Sequence, residues 1–194
     1  MDSLDKIDPA TAALVLIDLQ KGIMRMPVAP HAAADVLARA VKLVERFRAL
    51  KAPVVQVRVG FSADFGDALR QPVDQPPQLP PGGFPQDWME IPAELGPAAT
   101  DILIVKRQWN AFFGTELDLQ LRRRNIRTFV LAGISTNIGV EATARAGWEL
   151  GYHLLLAEDA MSSTSETAHK YSVTTILPRL GRVRPTAEIL AALA

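Results

Sequence analysis

Four short, predominantly apolar runs punctuate this chain: Ala12–Ile17 (AALVLI), Pro53–Val59, Ile102–Val105 and Thr128–Ala132. Each is too short for a core helix and lacks strict polar alternation, so they read as strands covered on both faces. A fifth run, His153–Ala157, and a short sixth at Arg182–Arg184 complete the set. Helical periodicity fills most of the intervals. Over Ala32–Leu50 it places Val36, Leu37, Ala40, Val41, Val44 and Phe47 on one side, with Arg39, Lys42 and Arg46 largely elsewhere. Buried strands alternating with helices predict an α/β fold: a three-layer α/β/α arrangement around a mostly parallel sheet of about six strands.

Composition narrows the function. The chain has 194 residues, 48% of them apolar, which suits one domain with a sizeable core. Twenty-one Lys+Arg balance twenty-one Asp+Glu, so no net charge draws the protein to nucleic acid or to an anionic membrane. The absence of cysteine removes disulfides, thiolate metal sites and any thiol nucleophile. The N-terminal residues are acidic where a signal peptide is basic, and no apolar run approaches the roughly 18 residues of a membrane span. A cytoplasmic location is therefore expected. Residues 60–97 stand apart, holding eight of the fourteen prolines and little periodicity. Phe61, Phe65, Phe84, Trp88 and Met89 are too many apolar side chains for a tether, so this long loop should pack on the body or on a neighbouring subunit.

Ligands of parallel α/β sheets bind beyond the carboxyl ends of the strands, which directs attention to the residues there. The first strand ends in Asp18, the third in Lys106, and the fourth runs into Gly133–Gly139 (GISTNIG), which opens a helix. Alone, Asp18 reads as a loop cap and Lys106 as a solvated strand end. Together, charges placed directly after apolar strands must find partners, and a shared pocket supplies them. Gly139 lies in the first turn of a helix, where glycine costs about 1 kcal/mol relative to alanine. Either tight packing of helix on strand or the close approach of a ligand to helix N–H groups accounts for it.

The segments LVLIDLQ (14–20), KRQWNAFFGTELDLQLRRRNI (106–126) and LAGISTNIGVEATARAGWELGYHLLLAEDAMSS (131–163) resemble the isochorismatase-like hydrolase superfamily over nearly the whole chain. The family's Asp corresponds to Asp18 and its Lys to Lys106, with Asn110 where the family's pattern has Ser. Its Thr-Asn-x-Cys-Val motif corresponds to Thr136–Val140. The resemblance implies a Rossmann-like topology, a dimer or tetramer, and a non-proline cis peptide at Ser135–Thr136. In most members the Cys attacks a carbonyl while Asp takes its proton and Lys supports the charge. Here Gly139 stands at the Cys position, which places the chain in a branch without thioester chemistry. True isochorismatases also lack the Cys and hydrolyse a vinyl ether with Asp as general acid. Where they carry a Gln near the end of strand two this chain has Arg58 and Val59, and Ser135, Thr136 and Asn137 replace their Tyr-Ala-His segment.

The nicotinamidase branch binds a divalent metal through an Asp and two His after strand two. Residues 60–97 contain Asp64, Asp67, Asp74 and Asp87 but no histidine, so neither a metal nor another cofactor is expected. His31, His153 and His169 are far apart in sequence and read as structural or surface residues. Arg122, Arg123, Arg124 and Arg127 read as a solvated helix end. Arg107, Trp109 and Phe112 are candidates for the pocket wall, and Phe84 and Trp88 for a subunit contact.

These residues favour a Cys-free hydrolase for a small, anionic molecule. Asp18 is its general acid or base and Lys106 its electrostatic partner, while Arg58, Ser135, Thr136, Trp109 and the N–H groups around Gly139 bind substrate. A retired family member that binds a metabolite is the alternative. Hydrolysis of isochorismate itself is a weaker one, because it needs a protonated Asp18 that Lys106 opposes.

Overall fold

The computed structural model describes residues 4, 6–77 and 79–193. Six strands form one parallel sheet: β1 (Ala12–Ile17), β2 (Val54–Val59), β3 (Ile102–Lys106), β4 (Thr128–Ile134), β5 (His153–Ser162) and β6 (Arg182–Arg184). Their order is β3-β2-β1-β4-β5-β6, with every neighbouring pair parallel. The helices are α1 (Lys21–Met24), α2 (Ala33–Ala49), α3 (Leu117–Arg123), α4 (Glu141–Glu149), α5 (Glu166–Tyr171) and α6 (Thr186–Ala192). The α/β/α layering expected from the sequence is present, and the helix expected at Ala32–Leu50 is α2.

Alternation along each strand divides the core. Leu14, Leu16, Val130 and Ala132 pack with Val36, Leu43 and Phe47 of α2 and Ile189 of α6. Val15, Ile17, Phe129 and Leu131 face the other way, onto Leu117 and Leu121 of α3 and Ala144 of α4. Two faces covered by helices explain why these strands read as continuous apolar runs. No helix among the described residues is long and apolar enough to cross a membrane.

Two strands run further than their apolar stretches. β5 continues through Glu158 and Asp159 to Ser162, because its pairing with β4 slips: Leu131 faces Leu156, whereas Gly133 faces Met161. The surplus residues bulge from the ladder, and a bulge can turn charged side chains out of a buried sheet. β4 continues to Ile134 through Gly133, whose φ of +131° and position against β1 require glycine, since a Cβ there would lie 2.1 Å from the Ile17 carbonyl oxygen.

Residues 60–97 contain no helix or strand among those described. The segment nevertheless packs on the body through a run of rings, with Phe84 stacked on Trp88 at 3.9 Å and edge-on to Phe65 at 5.4 Å. Trp88 lies against Gly22 so closely that a Cβ on that glycine would sit 2.2 Å from the indole.

Candidate active site

The strand order reverses between β1 and β4, which opens a crevice at their carboxyl ends. Asp18 follows β1 with a left-handed backbone, φ +55°, uncommon for a residue other than glycine and frequent where function holds a side chain in place. Lys106 ends β3, two strands away, and its long side chain passes the end of β2 to place Nζ 2.7 Å from Asp18 Oδ2. The pair is almost fully enclosed, with 5% of Asp18 and 2% of Lys106 exposed. Burial raises the Asp18 carboxyl from 3.8 to about 6, against the opposing pull of the Lys106 ammonium. Near neutral pH the group is thus mostly ionised with its proton-bearing form within reach, the condition that suits a general acid or base. Asp18 Oδ1 is buried with no hydrogen-bond partner.

Gly139 completes this corner. A Cβ built on it would stand 3.2 Å from Asp18 Oδ2, 3.6 Å from Lys106 Nζ and 3.0 Å from Ile17 Cγ2. The missing side chain lets this turn pack directly against the ion pair. Gly139 belongs to a π-helical turn, Thr136–Val140, that joins β4 to α4. Thr143 of α4 donates to the Gly139 carbonyl at 2.7 Å and accepts from Ala111 N at 3.1 Å, tying this turn to the segment after Lys106.

Asp18, Lys106, Ser135 and Gly139 line one cavity of about 340 Å³, a size suited to a small molecule. Its walls are largely apolar: Ile23, Met26, Val59, Ile134, Ile138 and Trp109 from the body, with Phe61, Leu69, Pro77, Leu79, Phe84 and Trp88 from the proline-rich loop. Arg107 and Gln108 add polar groups at the margin, and Arg107 is paired with Asp67. Phe84 and Trp88 therefore roof the site. Trp88 Nε1, like Asp18 Oδ1, is buried without a partner.

Five expectations meet a different geometry. Arg58 is one residue too early on β2: Val59 reaches the cavity, whereas the Arg58 guanidinium donates to Met89 O at 3.2 Å. Thr136 is fully buried behind the cavity wall, its Oγ1 2.8 Å from His169 Nδ1. Of the N–H groups around Gly139, those of Ile138 and Val140 both donate to Ser135 O, at 3.1 and 3.2 Å, which removes them as anion donors. The cis peptide is Ile134–Ser135, one bond earlier than the resemblance implies. Phe112, a candidate for the wall, is instead in the core against Phe129 and Tyr152.

Gln20 went unnoticed in the sequence. Its amide donates to Val59 O and Trp88 O, at 2.9 and 3.1 Å, and accepts from Val59 N at 2.8 Å, clamping the roof to the end of β2. A polar residue closing the apolar-acidic string LVLIDLQ was the available signal. Among the loop acids, Asp64 accepts from Ser62 and Asp87 pairs with Arg25.

A model of the isochorismatase domain matches residues 12–188, which include every element of this site. The chain belongs to the isochorismatase family. It is 54% identical over 188 residues to the uncharacterised isochorismatase family protein YecD of Escherichia coli O157:H7, covering 97% of this chain and 99% of that one. An isochorismatase family protein from Burkholderia thailandensis superposes with a TM-score of 0.93 at 42% identity, over 98% of this chain and 99% of that one. A more distant relative, 27% identical over 96% of this chain and 81% of its own, is the ureidoacrylate amidohydrolase RutB of Methylobacterium radiotolerans. The isochorismatase fold thus carries both isochorismatase-type and amidohydrolase names, and the sheet order and layering described above are those of that family.

Proposed function

We propose that this isochorismatase family chain is a hydrolase that uses water, and no side-chain nucleophile, on a small and largely apolar molecule. Asp18 is its general acid or base and Lys106 its electrostatic partner. The observation that carries the reading is the enclosed Asp18–Lys106 pair at the wall of the cavity of about 340 Å³, its carboxyl raised to about 6. A water in that cavity gives its proton to Asp18 as its oxygen attacks the substrate. The adjacent ammonium offsets the negative charge that develops, and Asp18 returns the proton to the leaving group. The unpartnered Asp18 Oδ1 and Trp88 Nε1 support a ligand that brings one donor and one acceptor on an apolar body. The apolar walls take the place of the anion-binding role expected of Arg58, so the substrate is defined by shape and apolar surface around one polar scissile group.

The raised carboxyl also supports a second route, proton delivery to an enol ether at mildly acidic pH, because burial outweighs the opposition of Lys106. Purified protein assayed against isochorismate, small amides, carbamates and ureides tests both routes. The expected result is turnover of at least one class, reduced by at least about a hundredfold in Asp18→Asn. Turnover equal in the two proteins would remove Asp18 from the chemistry. No turnover with a ligand still bound would make the protein a binder.

A further inference from the structure

His31, Glu158 and His169 come from three separate parts of the fold and meet at one point. His31 lies in the loop before α2, which is tied to the end of β5 by the reciprocal hydrogen bonds of Ala29 and Ser163, at 2.7 and 3.1 Å. Glu158 projects from the bulge of β5, and His169 comes from α5. His31 Nε2 and His169 Nε2 each stand 3.1 Å from the same oxygen, Glu158 Oε1, with ring planes at 84° to one another. All three candidate ligand atoms lie within 4.8 Å of one another.

We infer that His31, Glu158 and His169 form a binding site for a divalent transition metal of the zinc class, separate from the Asp18 cavity. The geometry fits on distance. Nitrogen and oxygen ligands at about 2.0–2.1 Å from a metal stand about 3.3 Å apart in a tetrahedral site and about 2.9 Å apart as octahedral neighbours. The two observed nitrogen–oxygen distances of 3.1 Å lie between these, and the two nitrogens, within 4.8 Å of each other, close on the metal by adjustment of the partly exposed His31 ring. Two imidazoles and one carboxylate leave at least one coordination position open. That position has access to water, since 24% of the His31 side chain and 32% of the Glu158 side chain are exposed, against 3% for His169.

The surroundings orient the buried ligand. His169 Nδ1 is 2.8 Å from Thr136 Oγ1, and metal binding at Nε2 places the ring proton on Nδ1, from which it is donated to that hydroxyl. Such a hydrogen bond behind a ligating histidine fixes its tautomer and ring plane. Thr136 directly follows Ser135 in the wall of the Asp18 cavity, so the metal also anchors the segment that carries Gly139. The histidines escaped notice as ligands because 138 residues separate them and the carboxylate between them depends on a bulge.

Untagged, chelator-treated full-length protein titrated with Zn2+ by calorimetry tests the site, with Co2+ absorption as a probe of its ligands. The expected result is one ion per chain, a rise in Tm with Zn2+, and a visible Co2+ spectrum of low symmetry. His31→Ala and Glu158→Gln, altered at partly exposed positions, should fold and bind at least roughly tenfold more weakly. Thr136→Val should weaken binding by about 10–100-fold through the ring it orients. Absence of stoichiometric binding by the wild-type chain, or binding unchanged in His31→Ala and Glu158→Gln, would overturn the inference. Both results are independent of whether the hydrolase assay succeeds.

Discussion

The burial of Asp18 has a consequence for stability that can be measured before any substrate is known. Its carboxyl is raised from 3.8 to about 6 in the folded chain, which therefore holds the proton more tightly than the unfolded chain does. Stability from this group is fully present below about pH 3.8 and is lost as pH rises through about 6, and the difference between the two values amounts to about 3 kcal/mol. Asp18→Asn keeps the side chain's shape and abolishes its titration. Urea unfolding of both proteins at about pH 4 and about pH 7.5 isolates the effect, because other carboxylates, including Glu158 held down to about 2 by its histidines, titrate alike in both. The wild type should lose about 2 kcal/mol relative to Asp18→Asn across that interval, since at about pH 4 the unfolded carboxyl is already partly ionised. Parallel slopes, or a gain by the wild type, would mean that Lys106 outweighs burial and that Asp18 is an ordinary ionised partner.

Three substitutions probe the site's construction. Gly139→Ala puts a methyl 3.2 Å from Asp18 Oδ2, and should cut turnover at least about tenfold while unfolding stability changes by no more than about 1 kcal/mol, since helix propensity offsets the crowding. Gly133→Ala sets a Cβ 2.1 Å from the Ile17 carbonyl at a φ of +131°, and should cost more than about 3 kcal/mol in thermal or denaturant unfolding, or prevent folding. Gln20→Ala removes three hydrogen bonds under the roof, and should lower stability by about 2–3 kcal/mol and open residues 60–97 to limited proteolysis.

How much the sequence disclosed follows from the range of the interactions involved. Asp18, Lys106 and Gly139 were legible because a parallel sheet brings strand ends to one edge, whatever the details between them. Arg58 was misread because a one-residue step along β2 turns a side chain from the cavity to the loop, and the sequence does not say which of Arg58 and Val59 is the last to face inward. The slip in β5 was hidden for a related reason: Glu158 and Asp159 look like the end of a strand unless its partner's register is known. Phe84 and Trp88 announced that the proline-rich loop would pack, but only the Gln20 clamp decides that they pack over Asp18. The meeting of His31 with His169 depends on the β5 bulge that presents Glu158 between them.

The central claim is that water alone attacks beside Asp18. For any panel compound turned over, a single turnover in 18O-labelled water, followed by mass spectrometry of product and intact protein, tests it most directly. The account predicts labelled product in the first turnover and no added mass on the protein at any time. A covalent adduct on Ser135, or unlabelled product with the label left in Asp18, would contradict it.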